Sequence, residues 1–383
     1  MKKWIKKFNF TADHDHNNPI TSISVNCAGN QVYAGTKSGQ IYLFERRLDG
    51  SWDNTLIWAA NRSIVDAMRH QKISEEVIDT DIFSNQKKSP LLITAGIREI
   101  RVWFISDRYE TSTDQYFEPQ GIEFPKETNR QRFVAANEIS LFQTIYSFSS
   151  VRACPDGLTL AYTEECEVNL RRIDKMESIL TVYKNDSVLT RVDFEPNQYD
   201  VILTGDEKGF CSVVDLRIQP QTTVPTCRAN CGSFLNDRYT YVNDCRFSPD
   251  GTKFFSRHFG NFFIWDVRNM SEPITSASFP KKGNNNIKLL SPNGKDYFKS
   301  TWVDGNHAAT GWLGGEMYLI PVNGEVTKLY ITKNSHKKSK KFFGNEKKKN
   351  WKKYHSVMSI DVPLKGHRAA ASNGGQIFIY DLE

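Results

Sequence analysis

The sequence of 383 residues is short of the features that mark membrane proteins, secreted proteins and enzymes. No apolar run approaches the ~20 residues a membrane-crossing helix needs. The opening Met1-Lys2-Lys3-Trp4-Ile5-Lys6-Lys7 interleaves lysine with bulky apolar residues and lacks the continuous apolar stretch of a secretory leader. A soluble protein made in the cytosol is expected, cytoplasmic with a nuclear pool as well. Cysteine is scarce and odd in number, seven in all, and mostly lies inside apolar runs such as Gly209-Phe210-Cys211-Ser212-Val213. These read as small core residues in a reducing compartment. Cys227 and Cys231 are four apart, off zinc-knuckle spacing, and no matching Cys/His pair follows, so no metal is expected. Asp13-His14-Asp15-His16 looks like a ligand string, but adjacent residues of an extended strand point in opposite directions, so it reads as a solvated turn. His258 falls in a tight turn between strands and is assigned a structural role. The glycine pairs in Trp312-Leu313-Gly314-Gly315 and Asn373-Gly374-Gly375 sit where a hairpin needs positive φ, not where a phosphate needs a cradle. Nothing assembles a nucleophile with a base, so the expectation is a protein that is not an enzyme and carries no cofactor.

What the sequence does have is repetition. Tyr241 to Phe247, the turn Ser248-Pro249-Asp250-Gly251, Lys253-Phe254-Phe255 and Phe262 to Val267 read as strand, tight turn, strand, turn, strand. Proline fixes φ at the first corner, aspartate tolerates the second, and glycine takes the positive φ where a side chain clashes. Cys154-Pro155-Asp156-Gly157 opens a second copy in the same register: sixteen residues separate Pro155 from Arg171, as they separate Pro249 from Trp265. Further copies run from Ile23 to Glu45, Val77 to Ile105, Val188 to Arg217, Tyr297 to Val322 and Val357 to Leu382. Seven copies of about 40 to 50 residues predict an all-β chain, one domain over residues 1–383, folded as a seven-bladed WD-repeat β-propeller. Only Trp265-Asp266 keeps the WD dipeptide. Trp4 to Phe10 alternates in polarity and is assigned as the outer strand of the last blade, closing the ring.

Insertions break the pattern at about 108–133, 218–236 and 326–354, and Arg62 to Lys72 looks helical. Long loops in a compact domain are where partners are met. Between Lys333 and Lys353 stand ten lysines and one acid, so without this segment the formal charge of +6 leaves a nearly neutral body. Phe342, Phe343 and Trp351 are interleaved with the lysines, a pattern compatible with nucleic acid. A solvated loop or a localisation signal is the stronger reading, and no membrane partner is expected. Glu164-Glu165-Cys166-Glu167 crowds three acids into the turn before the third strand of its repeat. That is either a solvated turn or a pad for lysine and arginine on a partner.

In order along the chain, Asn26-Cys27-Ala28-Gly29, Ala34 to Gly39, Ile73 to Ile78, Ile100 to Ser106, Phe194-Glu195-Pro196-Asn197, Asp215-Leu216-Arg217, Asn243 to Phe247 and Ile264 to Val267 resemble one family. They are similar to the WD-repeat B-type regulatory subunits of protein phosphatase 2A, and the likeness spans nearly the whole chain. The resemblance implies a propeller that joins a helical-repeat scaffold subunit and the phosphatase catalytic subunit and recruits phosphoprotein substrates. It implies that Glu164 and Glu165 hold basic substrate segments on one face, together with Lys37 and Tyr146. Asn185 falls where the family has an apolar contact residue, and Ser291-Pro292-Asn293-Gly294 has no carboxylate where the family has a second acidic patch. The scaffold-gripping arm falls between Arg108 and Phe133, is shortened, and keeps Phe117, Ile122 and Phe124 as apolar anchors. A generic WD-repeat scaffold of another assembly, RNA-associated through the lysine-rich loop, is the alternative.

Overall fold

A computed structural model describes residues 4–11, 20–25, 29–36, 41–57, 79–83, 91–95, 99–105, 136–143, 148–156, 159–172, 180–217, 225–235, 240–279, 298–312, 315–330, 359–362, 368–373 and 376–382. Strand β1 (Trp4–Thr11) is followed by a first meander of β2 (Ile20–Val25), β3 (Gln31–Thr36), β4 (Ile41–Arg46) and β5 (Trp52–Ile57). The second holds β6 (Asp79–Phe83), β7 (Leu91–Ala95), β8 (Glu99–Ile105) and β9 (Ala136–Gln143). The third holds β10 (Phe148–Ala153), β11 (Thr159–Glu164), β12 (Glu167–Arg172) and β13 (Leu180–Lys184). The fourth holds β14 (Leu189–Phe194), β15 (Val201–Asp206), β16 (Phe210–Asp215) and β17 (Cys227–Asn230), and a short 3-10 turn over Cys231–Phe234 leads to the fifth. There β18 (Asp244–Phe247), β19 (Lys253–Arg257), β20 (Asn261–Asp266) and β21 (Thr275–Ser278) pair in sequence. The sixth holds β22 (Ser300–Asp304), β23 (His307–Trp312), β24 (Glu316–Pro321) and β25 (Thr327–Tyr330), and β26 (Ile360–Asp361), β27 (Arg368–Asn373) and β28 (Gln376–Leu382) end the chain.

These strands form seven four-stranded antiparallel sheets, six of them in chain order. In the seventh, β1 is the outer member, in the order β1-β28-β27-β26, with Trp4 opposite Leu382 and Thr11 opposite Gln376. The first strands of successive sheets touch one another, β2 on β6, β6 on β10, and so on to β22 on β26, and β26 and β27 lie against β2. The fold is of the β-propeller, WD-like kind. Two of the expected insertions are shorter than their sequence suggested: 218–236 contains outer strand β17, and 326–354 begins with outer strand β25. The insertion at 108–133, the stretch 62–72, the segments 13–16 and 291–294 and the lysine-rich segment 333–353 lie outside the described residues.

The core lies between sheets, because a flat four-stranded meander is apolar on both faces. Leu203, Cys211 and Ala229 of the fourth sheet pack with Phe247, Phe254, Phe263 and Trp265 of the fifth. Phe255, Phe262 and Ile264 of the fifth pack with Trp302, Trp312 and Ile320 of the sixth. Ile20, Val32 and Phe44 of the first meet Ala370, Ile377 and Ile379 of the last. Burying one such side chain stabilises by about 1.5–3 kcal/mol. The inner strands are further pinned by carboxylates that accept from the neighbouring sheet's backbone. Phe247 N donates to Asp193 at 2.9 Å, Ser300 N to Asp244 at 2.7 Å and Val25 N to Asp361 at 2.8 Å. Arg152 lies 3.7 Å from the half-buried Asp193 and Arg191 3.5 Å from the buried Asp244, so each acid has a cation beside it.

The Ser248-Pro249-Asp250-Gly251 turn forms as its residue types require. Gly251 has φ +71° and its N–H donates to Ser248 O at 2.8 Å, while Asp250 takes the Ser248 hydroxyl at 2.5 Å and Thr252 N at 3.1 Å. A Cβ on Gly251 would stand 1.7 Å from Glu195 Oε1 of the fourth sheet, so glycine is needed for contact between sheets as well as for the turn. Among the described residues no helix is long and apolar enough to cross a membrane.

Candidate functional site

In the third sheet the connection from second to third strand lies on the same edge as the connection that leads into the fourth sheet. On the third sheet that edge carries the acidic turn. Glu164 and Glu167 face each other across β11 and β12, leaving Glu165 and Cys166 as a two-residue hairpin loop. Such loops demand positive φ and favour asparagine or glycine. Glu165 has φ +49°, the one non-glycine residue with positive φ among those described. A glutamate there costs roughly 1–2 kcal/mol, and its side chain is exposed.

The backbone around the turn holds this conformation. Leu189 N donates to Glu165 O at 2.6 Å and Asn185 N to Cys166 O at 2.8 Å, which ties the hairpin to the connector between the third and fourth sheets. Glu207 N donates to Val188 O at 3.0 Å and ties that connector to the β15–β16 turn. The Asn185 side chain is buried and donates to Asp206 at 3.0 Å and to Ser187 Oγ at 3.2 Å. Asp206 is itself buried, takes Phe210 N at 2.8 Å, and pairs with Arg228 at 3.2 Å. The Arg228 guanidinium carbon lies over the Phe210 ring, 4.0 Å from its centroid.

Around this frame stand Glu164, Glu165, Glu167, Asp186 and Glu207, with Lys184, Lys208 and Arg228 as cations. Lys184 pairs with Glu167 at 2.9 Å, and Lys208 and Arg228 approach Asp186 at 3.8 and 3.7 Å. The local field is negative, and the Cys166 thiol registers it: burial raises its pKa first, then Glu165 and Glu207 add to the rise, with Lys184 opposing. Glu165 and Glu207, from different sheets, thus both act on this thiol through their charge. The arrangement suits cationic side chains, and among the described residues no group of three or more His, Cys, Asp or Glu side chains is placed to hold a metal ion.

Of the residues singled out in the sequence, Glu164 and Glu165 lie together on this edge. Asn185 is beside them but faces inward, its amide occupied by Asp206 and Ser187. Lys37, Tyr146, Phe117, Ile122 and Phe124 lie outside the described residues. Sequence reasoning missed Asp186, Asp206, Glu207 and Arg228. Glu207 carried a usable signal, since it occupies in its own repeat the turn before the third strand that Glu165 occupies in the preceding one.

No family model matches the chain. It is 18% identical over 320 residues to the 55 kDa B-type regulatory subunit, beta isoform, of serine/threonine-protein phosphatase 2A from Carassius auratus, covering 70% of each chain. It is 19% identical over 350 residues to the protein phosphatase 2A regulatory subunit sur-6 of Caenorhabditis elegans, covering 80% of this chain and 70% of that one. It is 18% identical over 289 residues to the B-type regulatory subunit of protein phosphatase PP2A from Schizosaccharomyces pombe, covering 67% and 62%. Among solved structures it is similar to Raptor of Chaetomium thermophilum, with TM-score 0.67 and 11% identity, over 100% of this chain and 30% of that one; this likeness concerns the fold alone. The chain therefore combines a WD-like β-propeller fold with a distant relationship to the B-type regulatory subunits of protein phosphatase 2A.

Proposed function

We propose that this chain is a non-catalytic regulatory subunit of a serine/threonine protein phosphatase 2A holoenzyme. Its seven sheets are the blades of one closed ring, with β1 as the latch on the last. The ring binds scaffold and catalytic subunits and presents the Glu164–Glu165 edge to basic segments of phosphoprotein substrates. Lys37 and Tyr146 contribute to that face, Asn185 positions it from beneath, and Phe117, Ile122 and Phe124 anchor the arm that grips the scaffold. Cytoplasmic assembly follows from this role.

The observation that carries the reading is Glu165, a carboxylate kept at positive φ by hydrogen bonds from the adjoining connector. Backbone strain persists where the surrounding structure imposes it, and it concentrates at functional positions. Related proteins named as regulatory subunits of the phosphatase supply the assembly. Affinity purification of the tagged full chain from native extract tests it, with co-purification of a helical-repeat scaffold and a catalytic phosphatase as the expected result. A stable assembly lacking the phosphatase would overturn the proposal in favour of a propeller scaffold in another complex. In the same experiment the double variant Glu164→Lys, Glu165→Lys keeps the scaffold and catalytic subunits and loses substrate phosphoproteins.

A further inference from the structure

The seventh sheet is joined to its neighbours by little backbone and by a small set of polar side chains. Its inner strand β26 is two residues, Ile360–Asp361, against four to six in the inner strands of the other sheets. Apolar packing is thin there as well. Where the fifth sheet puts Phe254 toward the fourth and Phe255 toward the sixth, the seventh puts Ala370 toward the first and Ala371 toward the sixth. Hydrophobic stabilisation scales with the apolar area removed from water, so two methyl groups hold less than two rings. Ala371 shares its cluster with Ala309 of the sixth sheet, another small side chain at that junction.

Those polar side chains centre on Asp361. Ile23 N of the first sheet donates to Ser359 Oγ at 3.1 Å, and Val25 N donates to Asp361 Oδ2 at 2.8 Å. The other carboxylate oxygen, Oδ1, accepts from Arg246 Nη1 of the fifth sheet at 3.2 Å and from Thr301 Oγ1 of the sixth at 3.4 Å. One carboxylate on the seventh sheet is thus bonded to the first, fifth and sixth. Arg246 skips the sixth sheet to reach it. The same guanidinium has its Nε 3.8 Å from Asp244 Oδ2, an acid that takes Ser300 N of the sixth sheet and pairs with Arg191 of the fourth. Through Arg246 the seventh sheet is tied to a belt of ion pairs that its own backbone does not join. The Arg246 and Asp361 side chains are 19% and 12% exposed, so water reaches both partners, and separating them costs less than separating a fully enclosed pair.

We propose that the seventh sheet, β1 with β26, β27 and β28, is the release point of the ring, and that the Arg246–Asp361 pair is the clasp that holds it shut. Opening there breaks no strand ladder. β1 stays on β28, and the bonds given up are those to Ser359 and Asp361, together with the apolar contacts of Ala370 and Ala371. Opening between the fourth and fifth sheets would instead expose the packed rings of Phe254, Phe263 and Trp265. Proteins open locally where few apolar contacts hold a unit in place, at free energies below that of global unfolding. A release point presupposes the closed ring of the proposed function, which has its own signature in the same measurement.

Hydrogen exchange of the full chain, read at single amides, is the test. Three amides donate to a carboxylate of the adjoining sheet: Val25 N–H to Asp361, Phe247 N–H to Asp193 and Ser300 N–H to Asp244. Val25 is expected to exchange roughly tenfold faster than the other two, together with Ile23. Arg246→Gln should speed Val25 and Ile23 by about a further tenfold, while Phe210, whose N–H is held by Asp206 within the fourth sheet, is unchanged. In the Arg246→Gln, Asp361→Asn double variant the acceleration should be no greater than in Arg246→Gln alone, because the two residues act as one pair. Exchange at Val25 as slow as at Phe247 and Ser300 in the natural chain, acceleration at Phe210 equal to that at Val25, or additive effects of the two substitutions overturns the proposal. Exchange of Val25 and Ile23 at the rate of an unprotected peptide would mean that the first and last sheets do not meet, and would overturn ring closure itself. The comparison of the three amides needs only the natural chain, so it does not depend on any variant folding.

Discussion

At the scale of single residues, the structure separates what holds the fold from what is held by it. Glu165 belongs to the second group: the hairpin would be better served by asparagine, which accepts positive φ through its short polar side chain. Glu165→Asn is therefore expected to raise stability by about 1 kcal/mol while weakening capture of basic peptides, and paired urea denaturation and peptide binding would show both. Equal loss of both would mean that the carboxylate serves the fold. Asp193 belongs to the first group. Burial is the main cause that pushes its carboxyl up from 3.8 to about 6, ahead of the opposing Arg152 and Arg246. Between those values the folded state holds a proton that the unfolded state has released, so stability falls as pH rises through the window, and above about 6 the cost is constant. Relative to Asp193→Asn, which still accepts from Phe247 N, the natural chain should lose stability on the order of 1 kcal/mol per pH unit at the steepest point. Denaturation midpoints for the two proteins that ran parallel from pH 4 to 6 would contradict this.

At the scale of elements, legibility followed how local the determining chemistry was. The Ser248–Gly251 turn was readable because proline, aspartate and glycine each answer a backbone requirement within four residues. The seven sheets followed from that turn and the spacing after it. Outer strands β17 and β25 were hidden inside supposed insertions, because an outer strand pairs on one side only and buries little: in Cys-Arg-Ala-Asn, only Ala229 is enclosed. Glu164 and Glu165 were readable as adjacent acids, whereas Asp186, Asp206 and Glu207 join them only through packing of one sheet on the next, which no short motif records. Asn185 lies beside this edge, yet nothing in the sequence shows that its amide is taken by Asp206. The N-terminal strand makes the clearest prediction at this scale. β1 covers the whole length of β28 from Trp4–Leu382 to Thr11–Gln376. Removing residues 1–11 leaves that edge open for pairing with other chains. The truncated protein should melt at lower temperature and elute from size exclusion as oligomers, whereas a monomer with unchanged melting would show that the latch is dispensable.

At the scale of the whole molecule, charge is segregated, and that sets how a partner arrives. The segment from Lys333 to Lys353, with ten lysines and one acid, accounts for the entire formal charge of +6 and more, while the edge around Glu165 and Glu207 is negative. On the proposed function, a basic substrate segment would be attracted by the acidic edge and repelled by the lysine-rich segment, which would bias the encounter before any contact forms. Raising ionic strength from ~0.01 to ~0.15 M shortens the screening length from about 30 to about 8 Å, so the association rate of a basic peptide should fall by about tenfold. In the Glu164→Lys, Glu165→Lys chain the same salt change should leave the rate flat or raise it, because attraction at the docking edge has become repulsion. Deleting residues 333–353 should raise the low-salt rate, since it removes ten lysines and one acid, charge that repels a basic peptide. Stopped-flow measurements on the three proteins separate these cases. If the deletion instead abolished a salt-sensitive interaction with RNA and left peptide association unchanged, the lysine segment would be a nucleic-acid contact, and the edge would work independently of it.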